Sequence, residues 1–147
     1  NLNNGEPFKC YLLDTGLLMS LAFDNGVLSI PEVYSAFTRG KLSINEGMLF
    51  ENVAAQLLRS AGKELHYVEM RVKENDRNVH EIDFILPKGK KIIPVEVKSS
   101  VSTRHRSLDI FMQKYARRID GAVVVHSGNM KTDGKILYIP IYMVSLL

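Results

Sequence analysis

The chain has 147 residues, 46% of them apolar and 24% charged, with a formal net charge of +3. That is the balance of one globular domain with room for a core, and the charge is too small by itself to establish a nucleic-acid partner. The lone cysteine, Cys10, excludes an intramolecular disulfide framework and suits a reducing cytoplasm, and no apolar run approaches the ~18 residues of a membrane span.

Residues 8–13, FKCYLL, read as a short strand, with Cys10 as core filler. Asp14 is placed to cap a helix that runs to about Phe23. The string Leu13-Asp14-Thr15-Gly16 has the wording of an aspartic protease, in which Asp14 would pair with its copy in a dimer. The LLMSLAF that follows is helical, however, and that motif sits in a loop flanked by strands. Asn25-Gly26 marks a break, residues 31–37 suggest a short helix, and Arg39-Gly40-Lys41 a loop. Residues 1–44 are therefore expected to be an N-terminal strand-helix extension packed on a core of residues 45–147, the two making one compact domain.

Asn45 can cap the next helix and Gly62 can end it. Apolar side chains at 49, 50, 53, 54, 57, 58 and 61 form one helical stripe, and Glu51 lies at its edge. Taken alone, Glu51 is a surface acid in the early turns, where negative charge suits the helix dipole. LHYVEMRVK, from Leu65 to Lys73, reads as a strand and residues 74–78 as its turn.

The most informative stretch is VHEIDFILPKGKKIIPVEVKSS, residues 79–100. Glu81, Asp83 and Ile85 alternate with Ile82, Phe84 and Leu86, the period of a half-buried strand. Pro87 to Lys90 make a turn, and Ile92 to Lys98 alternate again, with Glu96 and Lys98 on one face. A hairpin centred between Gly89 and Lys90 sets Asp83 opposite Glu96, and Glu81 opposite Lys98. Opposed residues have Cβ atoms about 5 Å apart, so two facing carboxylates repel unless a cation lies between them. A hard metal held there, with a lysine alongside, suits phosphodiester hydrolysis. The plainer reading is a Glu81–Lys98 salt pair with Asp83 and Glu96 solvated on an exposed face.

Thr103 to Ile119 read as a second amphipathic helix, and Arg104, His105 and Arg106 fall in its first turn. Cations are disfavoured there by the dipole, so either an anionic partner or a solvated face explains them. AVVVH, after Gly121, is apolar on both faces, as a central strand should be. Lys135 to Ile139 add a last strand, and Pro140 starts a short C-terminal helix or tail. His66, His80, His105 and His126 have no zinc-ligand spacing. The order helix, three strands, helix, strand makes a mixed α/β fold with an αβββαβ core.

An acid, a hairpin and then Glu-x-Lys resembles the PD-(D/E)xK nuclease superfamily, which has the restriction-endonuclease-like fold. The resemblance implies that Asp83 and Glu96 bind Mg2+ or Mn2+, that Lys98 assists the attacking water, and that Glu51 is an additional helix acid. The residue before Asp83 is Ile82 rather than the superfamily's frequent Pro. YLLDTGLL, GMLFEN, EIDFIL, IPVEVKSS and IPIYMVSLL together resemble the uncharacterised domain at the C-terminus of many bacterial and archaeal AAA-type ATPases. That likeness implies a fragment of a longer chain whose ATPase part, with its GxxxxGK[ST] loop, lies elsewhere.

From Pro87 to Arg118 there are nine Lys or Arg against Glu96 and Asp109, so this segment carries +7 and the remainder −4. Arg104, Arg106, Lys114 and Arg118 are the expected contacts to nucleic acid, most readily DNA. The alternative function is an ATPase-associated module that binds DNA or a protein partner without cutting. A membrane partner is not expected, and homo-oligomerisation is left open.

Overall fold

The structure, a computed structural model, describes residues 8–23, 31, 35, 45–71, 79–101 and 104–147. The chain divides into two compact units, Asn1–Ile44 and Asn45–Leu147.

In the first unit, Asp14 does cap a helix. α1 spans Thr15–Phe23, and the Asp14 carboxylate accepts from Leu17 N at 3.0 Å. The expected strand at 8–13 is not formed, because the segment is irregular and has no neighbouring ladder among the described residues. Phe8 and Leu13 are exposed, and so is Cys10, which corrects its assignment to a core. The expected helix at 31–37 and loop at 39–41 lie outside the described residues apart from 31 and 35.

The second unit begins with α2, Glu46–Ser60. Asn45 Oδ1 accepts from Met48 N at 3.2 Å, satisfying one of the amides a helix start leaves unpaired. At the other end Lys63 N donates to Leu58 O and Gly62 N to Arg59 O, with Gly62 at φ +76°. This is a Schellman closure, and its left-handed residue is why glycine stands there. Ala54, Ala55 and Leu58 are buried.

Two sheets follow. β1 (Val68–Arg71) and β2 (Val79–Ile82) pair antiparallel. β3 (Phe84–Lys88), β4 (Lys91–Val97), β5 (Ala122–His126), β6 (Lys131–Asp133) and β7 (Ile136–Pro140) form a mixed sheet in the order β3-β4-β5-β7-β6. The β3–β4 hairpin has the expected register, Phe84 opposite Val95 and Lys88 opposite Lys91. Gly89 at φ +60° takes the first central position of its two-residue loop, as in a II′ turn.

The run expected as one strand divides at Asp83: β2 joins the small sheet and β3 the large one. β4 and β5 run parallel, as do β5 and β7. All five residues of β5 are buried, in keeping with its apolar sequence. β6 is an addition; Lys131, Thr132 and Asp133 are exposed and carry no apolar pattern to reveal an edge strand.

α3 spans Arg106–Lys114, shorter than its periodicity suggests at both ends. At the C-terminal end a backbone bridge takes over. Ile92 N donates to Arg118 O at 2.9 Å and Asp120 N to Ile92 O at 3.2 Å, which draws Ile119 onto β4. Leu108 and Phe111 of α3 pack with Ile82, Ile85, Val124, Ile136 and Tyr138 in one core cluster. α2 and a 3-10 helix, Ile141–Leu146, pack together, α2 also against β4 and the 3-10 helix against β5 and β7. Both faces of the central strands are thus covered. Among the described residues no helix is long and apolar enough to cross a membrane.

Candidate metal centre at the carboxyl end of β4

The break at Asp83 has a chemical consequence. Lys98 N donates to Val125 O across the β4–β5 ladder, so the intervening amide of Val97 points toward β3. There β3 has already left the sheet, and Asp83 Oδ2 accepts the Val97 N–H at 2.7 Å in its place. The Asp83 side chain therefore finishes the ladder and is held at the carboxyl end of β4. In open α/β sheets that end is where ligands bind.

Glu51, Glu81 and Asp83 meet at this point. One carboxylate oxygen from each lies within 4.8 Å of the other two, and all three residues are half-buried. Three acids from α2, β2 and the β2–β3 break repel one another unless positive charge is shared between them. The β1–β2 register adds to this by placing Glu81 opposite Glu69.

Glu96, 6% exposed, is close by in β4, a strand buried along its last four residues. Its Oε1 receives the Lys98 ammonium at 2.7 Å. Its Oε2 is shut from solvent with no hydrogen-bond partner among the described residues. A buried acceptor left in that state costs about 1–3 kcal/mol, more when charged. Three clustered carboxylates, with an orphaned carboxylate oxygen on the residue before the amide that holds Asp83, are the donor chemistry of a hard divalent cation, and these residues fit one.

The structure brings some of the expected residues together and places others differently. Asp83 and Glu51 are brought together. Glu81, expected to face Lys98, instead sits with them, because β2 pairs with β1 rather than continuing the hairpin. Glu96 is not solvated; it is buried and bound to Lys98. Alternation already sets Glu81 on the face of Asp83; what it does not show is that β2 pairs with β1, which takes Glu81 away from Lys98.

The four expected nucleic-acid contacts do not form one patch. Of the three residues expected in the first turn, His105 is the N-cap, Arg104 precedes it and Arg106 opens α3. Lys114 closes α3, eight residues or about 12 Å further on. Arg118 lies beyond it, at the bridge to Ile92. The His105 ring is held by Asp109 Oδ1 at 3.0 Å and the Tyr138 hydroxyl at 2.7 Å. Burial, with smaller contributions from Asp133 and Asp109, pushes the Tyr138 phenol up, so the hydroxyl that meets His105 Nε2 stays protonated. This network ties the start of α3 to β7 and accounts for His105 without an anionic partner.

No curated protein and no solved structure matches the chain. A family model does match, from residue 46 at the first turn of α2 to residue 144 in the 3-10 helix, which takes in both sheets and the whole acidic site. The chain therefore belongs to the family described as Domain of unknown function (DUF4143).

Proposed function

We propose that this protein is a metal-dependent phosphodiesterase domain acting on DNA, of the PD-(D/E)xK type, carried as an accessory domain by an AAA-type ATPase. The observation that carries the reading is the group of Glu51, Glu81 and Asp83, with the orphaned Oε2 of Glu96 on the residue before the amide that holds Asp83. These four carboxylates would hold Mg2+ or Mn2+. When bound, such an ion polarises a phosphoryl oxygen and lowers the pKa of a coordinated water. The chain's own residues do the rest. Asp83 is fixed by Val97 N and cannot swing away. Lys98, anchored on Glu96 Oε1, presents its remaining N–H groups to a water or a phosphate oxygen and offsets charge as the P–O bond breaks. Arg104 and Arg106, on the start of α3, supply cations for the backbone.

Calorimetry with Mn2+ tests the site, because Mn2+ favours oxygen-rich octahedral coordination. Binding in the wild type that is lost in Asp83→Asn supports the proposal; equal binding in both defeats it. Asparagine is the informative substitution, since its carbonyl can still accept from Val97 N. One observation favours a second reading, a non-catalytic DNA- or partner-binding module: the Lys98 ammonium is already paired with Glu96. Under that reading Mn2+ does not bind and no nucleic acid is cut.

A further inference from the structure

The bridge between Ile92 and the 118–120 segment brings the hairpin turn and the end of α3 side by side. Lys88, Lys90 and Lys91 come from the turn, Lys114 from the last turn of α3, and Arg117 and Arg118 from just beyond it. Asp120 is the carboxylate set among them, and it is matched by Lys88 at 2.8 Å and Lys91 at 3.6 Å. Lys90, Lys114, Arg117 and Arg118 are exposed and have no ion pair among the described residues. A positive charge on Lys114 suits the helix C-terminus, but that accounts for one cation of the four. Beside them lies a shallow basin of about 340 Å3 lined by Gln113, Lys114, Tyr115, Ala116, Arg117 and Arg118. The Lys114 ammonium lies 5.5 Å from the centre of the Tyr115 ring.

We infer that this end of the domain is a second ligand surface, at which Lys90, Lys114, Arg117 and Arg118 hold the phosphate backbone of a polynucleotide. It rests on the proposed function only in taking nucleic acid as the ligand, and not on metal binding or hydrolysis. Unmatched exposed cations on two elements locked together by backbone bonds are what a chain of phosphates needs. An anionic membrane is the poorer occupant, because surface-bound segments also insert apolar side chains. The exposed large apolar residues, such as Val79, Val101, Met130 and Tyr142, lie on other segments. From Lys88 back to Asp83 the strand covers about 17 Å, or roughly five nucleotide rises, so one strand can lie on the cations and reach the acids.

The test is fluorescence anisotropy of the 147-residue chain with labelled single- and double-stranded DNA of about 20 nucleotides, in EDTA, as salt is varied. The comparison variant carries Lys90→Gln, Lys114→Gln, Arg117→Gln and Arg118→Gln, all at exposed positions, with the fold checked by circular dichroism. The expected result is salt-dependent binding by the wild type and by Asp83→Asn. In the quadruple variant affinity falls by roughly 100-fold at low salt, and the log–log salt slope shrinks by about 3. Unchanged affinity in that variant overturns the inference. So does wild-type binding to phosphatidylserine vesicles but not to DNA, or loss of binding in Arg104→Gln/Arg106→Gln alone. Binding in EDTA with no cleavage after Mn2+ is added in excess leaves this surface standing and removes the hydrolytic reading.

Discussion

The two ends of the β3–β4 hairpin are built from the same few residue types and end in opposite electrostatic states. At the turn, Asp120 sits between Lys88 and Lys91 in the open, its side chain 35% exposed. The ammonium of Lys88 first, then Lys91, holds its carboxyl below the usual range. Water screens each charge there, and Lys88, Lys91 and Asp120 are paired with one another. At the other end, Glu51, Glu81 and Asp83 crowd together, and Glu96 is buried with one oxygen unmatched. The same ladder that aligns Lys88 with Lys91 aligns Asp83 with the end of β4; what differs is exposure and the ratio of acids to bases. Exposed pairs contribute little to stability, whereas a buried acid excess is costly to keep. The difference teaches where the domain gathers like-charged carboxylates, and that is the end where a metal is proposed to bind.

The largest effect should come from removing charge at the acid end while leaving the ladder intact. In Asp83→Asn, metal-dependent DNA cleavage falls by at least about 100-fold, with melting temperature in EDTA unchanged or raised. Wild-type cleavage rates in that variant would erase the contrast between the two ends. Asp83→Ala should behave differently in stability. It strips the acceptor from Val97 N and costs about 1–3 kcal/mol, read by urea denaturation. If alanine and asparagine prove equally stable, the carboxylate is not finishing the ladder.

A smaller effect, opposite in sign to most substitutions, is expected for Glu81→Gln. Relieving repulsion from Asp83, Glu51 and Glu69 should stabilise the metal-free protein by about 0.5 kcal/mol, while weakening Mn2+ binding. Destabilisation in EDTA would mean that the acids are already compensated. The smallest effect belongs to the turn. Asp120→Asn should shift the melting temperature by about 2 °C or less at neutral pH. Because the folded-state pKa of Asp120 is depressed, its contribution is present above the unfolded value near pH 4 and is lost as pH falls through the lower folded value. Wild type and variant should therefore converge in acid, and a gap that widens there would contradict the Lys88 pairing.

Most of the second unit is legible in the sequence. The hairpin register followed from alternation and the position of Gly89. The ends of α2 followed from Asn45 and Gly62, and the central place of β5 from AVVVH. The first unit was read less well. FKCYLL has the composition of a strand but no neighbouring ladder among the described residues, and composition cannot supply one. α3 was read too long because its apolar spacing continues to Ile119, whereas backbone bonds to Ile92 outcompete the last helical turn. The candidate site was half legible. Asp83, Glu96, Lys98 and Glu51 are singled out by the sequence, but the Glu96–Lys98 pair and the place of Glu81 with Glu51 are not.

The amino-acid sequence by itself determined the local matters: where helices start, where the hairpin turns, which strand is buried on both faces, and which residues can carry acid chemistry. These depend on neighbours within a few positions, through capping bonds, side-chain period and backbone freedom. The tertiary structure decided which acids meet. The chain leaves one sheet for another at Asp83, which turns Glu81 toward Glu51 and closes Glu96 in with Lys98. That step is a competition between ladders for the same backbone groups, and its outcome depends on partners that lie far apart in the sequence.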